Sequence, residues 1–372
     1  MNTATVSFTI DGKTVTAAPG ASVLAAALAA DIYIPSLCWH EDLEPYGGCR
    51  MCLVEIEGMR GLPTACTTTV SEGMKVTTRS AALDEVRINT LELILSQHPC
   101  ECLVCHRRER CGPDDVCLRQ VEVTDRCVTC PSNQVCELQQ VVDYIGVRNI
   151  NVDNRPRLPR DVDTSNPFFD LDRNRCILCA RCVRTCTEVT GIQAIAITNR
   201  GFEAKVGTFT DAPLIESICK SCGECMARCP VGALTPKETT RPEREVKTTC
   251  TYCGVGCSMY LGVKDDRIIG VRGDREGPAN HGRLCVKGRF GIAEFVNHED
   301  RLKQPLIRKD GVLVEVSWDE ALDYVASHLK KYSSEEVAVI SSAKATNEDN
   351  YVMQKLARGV MGTNNIDHCA RL

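Results

Sequence analysis

No stretch of this sequence is long and apolar enough to cross a bilayer. The longest apolar run near its start, Val23 to Ala30, falls well short of the roughly 20 residues a spanning helix needs. The opening residues, MNTATVSFTI, lack the basic region and apolar stretch of a secretory leader, so a reducing, cytoplasmic setting is expected. A basic face is missing too: 44 Lys and Arg stand scattered against 49 Asp and Glu, which argues against a nucleic-acid partner. What the chain has in excess is cysteine, 25 in 372 residues. In a long chain in a reducing compartment, cysteines clustered at short fixed spacings read as metal ligands rather than disulfides.

Residues 5 to 17 alternate apolar and polar around Asp11-Gly12, which predicts a β-hairpin. A short helix is expected over Ala21 to Ala30, then a loop-rich segment from Cys38 to Cys66 with glycines at 47 and 48. Apolar spacing predicts helices over Leu83 to Ser96 and Glu137 to Ile145, with crowded cysteines between them. Asn151 to Pro167 reads as a linker, and the charged run Lys237 to Lys247 as a separator before a boundary near 245. Farther on, Leu306 to Val316 forms a hairpin around Asp310-Gly311, and Ser317 with Glu320 caps a helix running to about Tyr332. A buried strand over Val337 to Ser342, a loop to Asn347 and a helix with Val352, Met353, Leu356 and Val360 on its apolar face begin an α/β domain.

The cysteines fall into four sets. Cys38, Cys49, Cys52 and Cys66 follow the hairpin and helix; zinc is the alternative occupant, but zinc sites favour two close pairs and this set has one. His98, Cys102, Cys105 and Cys111 form H-x3-C-x2-C-x5-C, and C-x2-C-x5-C recurs at Cys127, Cys130 and Cys136 ahead of Glu137-Leu138-Gln139. Cys176, Cys179, Cys182 and Cys186 repeat as Cys219, Cys222, Cys225 and Cys229, each C-x2-C-x2-C-x3-C, the second followed by Pro230 as in bacterial two-cluster ferredoxins. In that fold the fourth cysteine of each run ligates the other cluster, which pairs Cys229 with the first three and Cys186 with Cys219, Cys222 and Cys225. Thr187 stands where the first run would have its proline. Cys250, Cys253, Cys257 and Cys285 make the last set, followed by Val286-Lys287-Gly288-Arg289.

On these motifs the chain resembles the front part of molybdopterin-dependent formate dehydrogenases, over essentially its whole length. The resemblance implies a multi-domain α+β architecture. A β-grasp [2Fe-2S] domain would occupy 1–80, a His/Cys box 81–150, a two-[4Fe-4S] ferredoxin domain 151–240, a proximal [4Fe-4S] domain 245–302, and the start of a molybdopterin-binding α/β domain 303–372. It implies one [2Fe-2S] and about five [4Fe-4S] clusters in all. In the box, the favoured partition gives His98, Cys102, Cys105 and Cys111 one cluster, and Cys117, Cys127, Cys130 and Cys136 another. Exchanged fourth ligands, or one cluster with zinc or idle thiols, are the alternatives, and Cys100 is left as a free thiol.

By the same resemblance, Lys287 lies between the proximal cluster and a pterin, and the loop Ala343 to Asn347 offers backbone N–H groups to a pterin dinucleotide phosphate. The complete enzyme would hold a molybdenum or tungsten bis(pterin guanine dinucleotide) and work with flavin- and NAD(P)-binding iron–sulfur subunits of diaphorase type. In the family, a sequence like Asn365 to Leu372 is followed by the cysteine or selenocysteine that ligates the metal. The expectation is therefore that position 373 is a selenocysteine in a longer catalytic subunit, that Cys369 is not the ligand, and that these 372 residues alone conduct without catalysing. Two relatives compete with this reading. The large iron–sulfur subunit of complex I shares the first cluster patterns, and iron-only hydrogenase shares residues up to about 235; a third reading, of a different class, is a non-catalytic electron-transfer subunit that ends at Leu372.

Overall fold

The computed structural model describes residues 5–148, 158–237 and 241–369. Two compact units divide the chain, Met1–Thr239 and Thr240–Leu372. Among the described residues no helix is long and apolar enough to cross a membrane.

The first unit opens with strands β1 (Val6–Ile10) and β2 (Lys13–Ala17), joined through Asp11 and Gly12, both at positive φ as a tight hairpin requires. Alternation turns Phe8, Ile10 and Val15 inward against α1 (Val23–Ala29), whose N-cap Ser22 accepts from the Ala25 N–H. Strands β3 (Glu55–Ile56) and β4 (Lys75–Thr77) complete a sheet of order β2-β1-β4-β3. Here β1 and β4 run parallel, so the chain between them must cross over, and the loop carrying Cys38 to Cys66 lies within that crossover. Cys52 and Cys66 are built into the core of this sheet.

Helix α2 (Ala81–Leu95) starts at Ser80 and buries Leu83, Arg87, Leu91 and Leu95, a strict four-residue spacing that defines one face. It packs on α3 (Glu137–Ile145), which ends at left-handed Gly146. Between the two helices, residues 96–136 contain only short 3-10 turns. A second core joins Leu37 and Met51 to Leu91, Leu138, Val142 and Val231, seating this cysteine-rich segment against the chain around Val231.

The stretch read as a linker lies outside the described residues as far as 157; beyond that it contains β5 (Val162–Asp163), a correction to the linker reading. This strand pairs with β6 (Phe169–Asp172). Then come α4 (Arg181–Arg184), the hairpin β7 (Ala196–Thr198) and β8 (Lys205–Gly207), α5 (Glu224–Ala227), and β9 (Leu234–Pro236), which returns antiparallel to β6.

In the second unit, β10 (Arg244–Thr249), β11 (Ser258–Lys264) and β12 (Arg267–Gly273) form an antiparallel meander. The end of the charged run is thus an edge strand. Its charges find partners within the sheet, Glu245 on Arg272 and Lys247 on Asp274 at 2.8 Å, which protects the edge from further pairing. Helix α6 (Ile292–Asn297) packs on β12. The hairpin of β13 (Leu306–Lys309) and β14 (Val312–Glu315) turns at Asp310-Gly311, and α7 (Trp318–Leu329) begins at Ser317, which accepts from the Glu320 N–H at 3.2 Å. Strand β15 (Val339–Ser341), helix α8 (Asn347–Lys355) and strand β16 (Ile366–His368) complete the unit, the two strands parallel. Strand β15, expected to be buried, leaves Ile340 83% exposed, a correction to that reading, and Val352 and Val360 of the apolar helix face are exposed as well.

Candidate metal centres

The two C-x2-C-x2-C runs adopt one backbone twice. Leu178 and Ala180 in the first, Ser221 and Gly223 in the second, all have positive φ, and α4 and α5 start immediately afterwards. Such alternation aims successive N–H groups into a concavity suited to an anion. The Leu178 N–H donates to Cys176 Sγ at 3.4 Å, the Ser221 N–H to Cys219 Sγ at 3.4 Å, and the Ala194 N–H to Cys186 Sγ at 3.2 Å. Two cavities result. Cys176, Cys179, Cys182 and Cys229 line one, and Cys186, Cys219, Cys222 and Cys225 the other, so each takes its fourth sulfur from the opposite motif. Leu171 and Leu234 lie on both.

Burial pushes the thiols of Cys179, Cys182 and Cys225 well up, and mutual repulsion among these sulfurs adds to it. Cys176 is raised to about 11 for the same first reason. Four thiolates in such a space require cationic metal to offset them, which an iron–sulfur core provides. Among the described residues no three His, Cys, Asp or Glu side chains are grouped closely enough to share a single ion.

Cys38, Cys49, Cys52 and Cys66 come together as two pairs. The Cys49 N–H donates to Cys38 Sγ at 3.4 Å, and the Leu37 N–H to Cys49 Sγ at 3.4 Å. A hydrogen bond from the Cys49 thiol pulls Cys38 down to about 6, and one from Cys52 pulls Cys66 down to about 7, while both donors are driven up. Two sulfur pairs match two irons taking two thiolates each. Tyr46 crowds Gly48 so closely that an added Cβ would sit 2.2 Å from its ring, so a larger residue there would displace the tyrosine.

One cavity in the box draws its lining from both sets of the favoured partition. Cys102, Cys105, Cys111, Cys117 and Cys127 line one cavity, with a hydrogen bond from the Cys127 thiol holding Cys102 down to about 6. Arg107, Arg108, Arg119 and Arg126 line the same cavity and would favour an anionic occupant. Cys136, raised to about 11 by burial, has Cys130 and Cys229 within electrostatic reach, and Cys130 Sγ lies against Gly232. His98 is buried, with Nδ1 2.8 Å from the Pro99 carbonyl oxygen, so a ring donating from Nδ1 carries its lone pair on Nε2. It does not line the five-cysteine cavity. Cys100 packs against the second core.

Arginines that the sequence reading did not single out fasten these segments together. Arg184 donates to the carbonyls of Cys38 and, at 2.6 Å, Glu44; Arg228 bridges Asp42 at 2.6 Å and Glu224; Arg181 grips Glu137. Two of them sit directly before a motif cysteine, Arg181 before Cys182 and Arg228 before Cys229, which is the one sequence signal that would have pointed to them.

In the second unit, Cys250, Cys253, Cys257 and Cys285 lie within one another's electrostatic reach; burial raises Cys250 and Cys257 first, and the neighbouring sulfurs add to it. The Cys250 N–H donates to the Cys257 carbonyl at 2.8 Å. Lys287 is exposed at the start of a π-helical turn, and a Cβ on the next residue, Gly288, would lie 3.6 Å from Cys250 Sγ. The loop before α8 packs on the same ligand segment, the Gly254 N–H donating to the Ala343 carbonyl at 3.2 Å and Asn347 Oδ1 lying near Gly254. Several of that loop's N–H groups are already used. Thr346 and Asp349 form a reciprocal capping box, and the Lys344 N–H donates to Ser342 Oγ, so fewer donors face outward than the sequence suggested.

Family models match four stretches. They are a 2Fe-2S iron-sulfur cluster binding domain at 3–81, the ferredoxin-like domain of NADH-quinone oxidoreductase subunit 3 at 166–235, a molybdopterin oxidoreductase Fe4S4 domain at 243–298, and a molybdopterin oxidoreductase model at 301–372. An NADH-quinone oxidoreductase subunit of Rhizobium meliloti is 36% identical over 98% of this chain. The NADPH-Fe(3+) oxidoreductase subunit alpha of Geobacter sulfurreducens is 35% identical over 99%, and a "Putative formate dehydrogenase" of Staphylococcus aureus is 33% identical over 98%. The chain spans about 40% of the length of these relatives. The chain therefore carries iron–sulfur domains followed by molybdopterin-oxidoreductase domains, and it is similar to these relatives over nearly its whole length.

Proposed function

We propose that this chain is the electron-relay portion of a molybdopterin-dependent oxidoreductase, serving formate oxidation to carbon dioxide or its reverse and exchanging electrons with flavin- and NAD(P)-binding iron–sulfur partners. The observation that carries it is the pair of adjoining four-cysteine cavities sharing Leu171 and Leu234, with the Cys38 loop fastened to the same domain through Arg184. When bound, clusters supply one-electron chemistry. The chain's own part is to exclude water with apolar walls, donate N–H groups to sulfur and hold the centres at fixed separations. We read the β1–β4 sheet as a β-grasp domain, the five-cysteine cavity and the Cys130–Cys136 segment as two further sites, and the Cys250 set, with Lys287 beside it, as the centre nearest a molybdenum or tungsten pterin.

Iron and sulfide analysis of the anaerobically purified chain tests the relay, with about 22 irons expected for one [2Fe-2S] and five [4Fe-4S] clusters. Stoichiometric zinc at the box cysteines would overturn the count there. Formate is tested on the native complex, where formate-dependent dye reduction together with bound molybdenum or tungsten is the expected result. The name of the Rhizobium relative favours a second reading, an NADH-quinone oxidoreductase subunit. A native complex that holds neither metal and ignores formate while oxidising NADH would establish that reading instead.

A further inference from the structure

Arg87 is wholly buried, 0% exposed, on the inner face of α2. Its guanidinium donates to three carbonyls: Nε to Met51 at 3.2 Å, Nη2 to Leu53 at 2.6 Å and Nη1 to Thr78 at 2.8 Å. Met51 and Leu53 flank Cys52, so one side chain clamps both peptides around a proposed ligand. Carbonyls satisfy its hydrogen bonds but leave its charge uncompensated. The carboxylate beside it, Asp84, stands 3.9 Å from Nη1, is 31% exposed and also pairs with Arg79 at 3.4 Å. A buried cation with so partial a counter-ion is costly unless another negative charge faces it.

We propose that Arg87 is the buried counter-charge of the [2Fe-2S] centre read at Cys38, Cys49, Cys52 and Cys66, and that Arg87 opposed by Asp84 sets how readily that centre takes up an electron. The inference rests on the [2Fe-2S] reading of this set. Four thiolates and two sulfides around two ferric irons carry net negative charge, and accepting one electron adds one unit more. A fixed cation therefore stabilises the reduced form more than the oxidised form, and a nearby carboxylate does the reverse. Arg87 is a positioning residue as well, because its clamp fixes the backbone on both sides of Cys52.

The test is an EPR-monitored redox titration of the full chain and its Arg87→Gln, Arg87→Lys and Asp84→Asn variants, with the [4Fe-4S] signals of each sample as internal reference. In Arg87→Gln the [2Fe-2S] midpoint falls: at the wild-type midpoint the reduced-to-oxidised ratio drops about tenfold, which is about 59 mV for a one-electron couple. Arg87→Lys restores most of that, and Asp84→Asn shifts the midpoint upward by less, because Asp84 is partly exposed to solvent. Loss of the centre in Arg87→Gln leaves the decision to Asp84→Asn, which is placed to fold normally. An Asp84→Asn centre with the wild-type midpoint, or an assembled Arg87→Gln centre with that midpoint, overturns the proposal. Absence of any [2Fe-2S] signal in the wild type would instead strike the cluster reading itself.

Discussion

Arg181, in the first ferredoxin motif, and Glu137, the first residue of α3, form a bidentate ion pair with both N–O distances at 2.6 Å. The pair joins the box to the ferredoxin domain, and the Glu137 N–H reinforces it by donating to the Pro230 carbonyl at 2.9 Å. Arg181 is 3% exposed and Glu137 37%. Glu137→Ala leaves the arginine buried and uncompensated. Breaking a fully buried pair costs roughly 3–5 kcal/mol; solvent screening at Glu137 reduces the expected loss to about 2 kcal/mol, readable as a lower denaturant midpoint for the first unit.

Asp42 joins the [2Fe-2S] loop to Arg228, at 2.6 Å and 3.0 Å from its Nη2 and Nε. In Asp42→Ala, Arg228 keeps Glu224 as its partner, so the stability loss should stay near about 1 kcal/mol. Electron exchange between the Cys38 set and the ferredoxin sites should slow, while iron content stays unchanged. Freeze-quench EPR after rapid reduction measures the exchange and chemical iron analysis the content; unchanged exchange would show that this joint carries no coupling.

Gly223 and Ala180 occupy the same place in the two repeats, with φ of 74° and 60°. Alanine already meets that demand once, so Gly223→Ala should cost about 1 kcal/mol and retain iron. Gly223→Val puts a branched side chain at positive φ and should lose iron from the second motif. Melting curves and iron analysis of the two variants give the comparison.

Asp163, which lies within electrostatic reach of Cys219, offers a pH test on a carboxylate. Burial alone would push its carboxyl up, but hydrogen bonds from Ser165 and the Leu214 N–H, with the Arg173 charge, more than reverse this and hold it below the usual carboxylate range. A carboxyl depressed in the folded state contributes stability above its unfolded value of about 3.9, and that contribution is lost as pH falls through the lower folded value. Acid unfolding of the first unit should therefore steepen below about pH 4, and Asp163→Asn should be less stable at neutral pH with a flatter acid limb.

Local chemistry made much of this fold legible. Asp11-Gly12 and Asp310-Gly311 mark real hairpins, Ser317 caps α7 as its sequence indicates, and α3 spans Glu137–Ile145 as its apolar spacing requires. Long-range pairing was not legible. Nothing near Thr9 announces that it lies opposite Lys75, and the charges of β10 conceal a strand whose ion-pair partners lie far along the chain, at Arg272 and Asp274. In the site, repeated spacing indicated which sulfurs form the two ferredoxin groups. The box is less legible, because two copies of one spacing admit several partitions and the cavity beside Arg126 is lined by cysteines of both copies. Arg87 was invisible because, read along α2, a basic residue at a core position looks like a break in the apolar face.

Since Cys229 completes the sulfur set of the first cavity and Cys186 that of the second, the ferredoxin domain is laced rather than stacked. On the ribosome, neither pocket can have all four sulfurs until the second motif has emerged. Cofactor delivery to this domain is then a late event, and a chain halted between the motifs would present Cys176, Cys179, Cys182 and Cys186 without a finished socket for any of them.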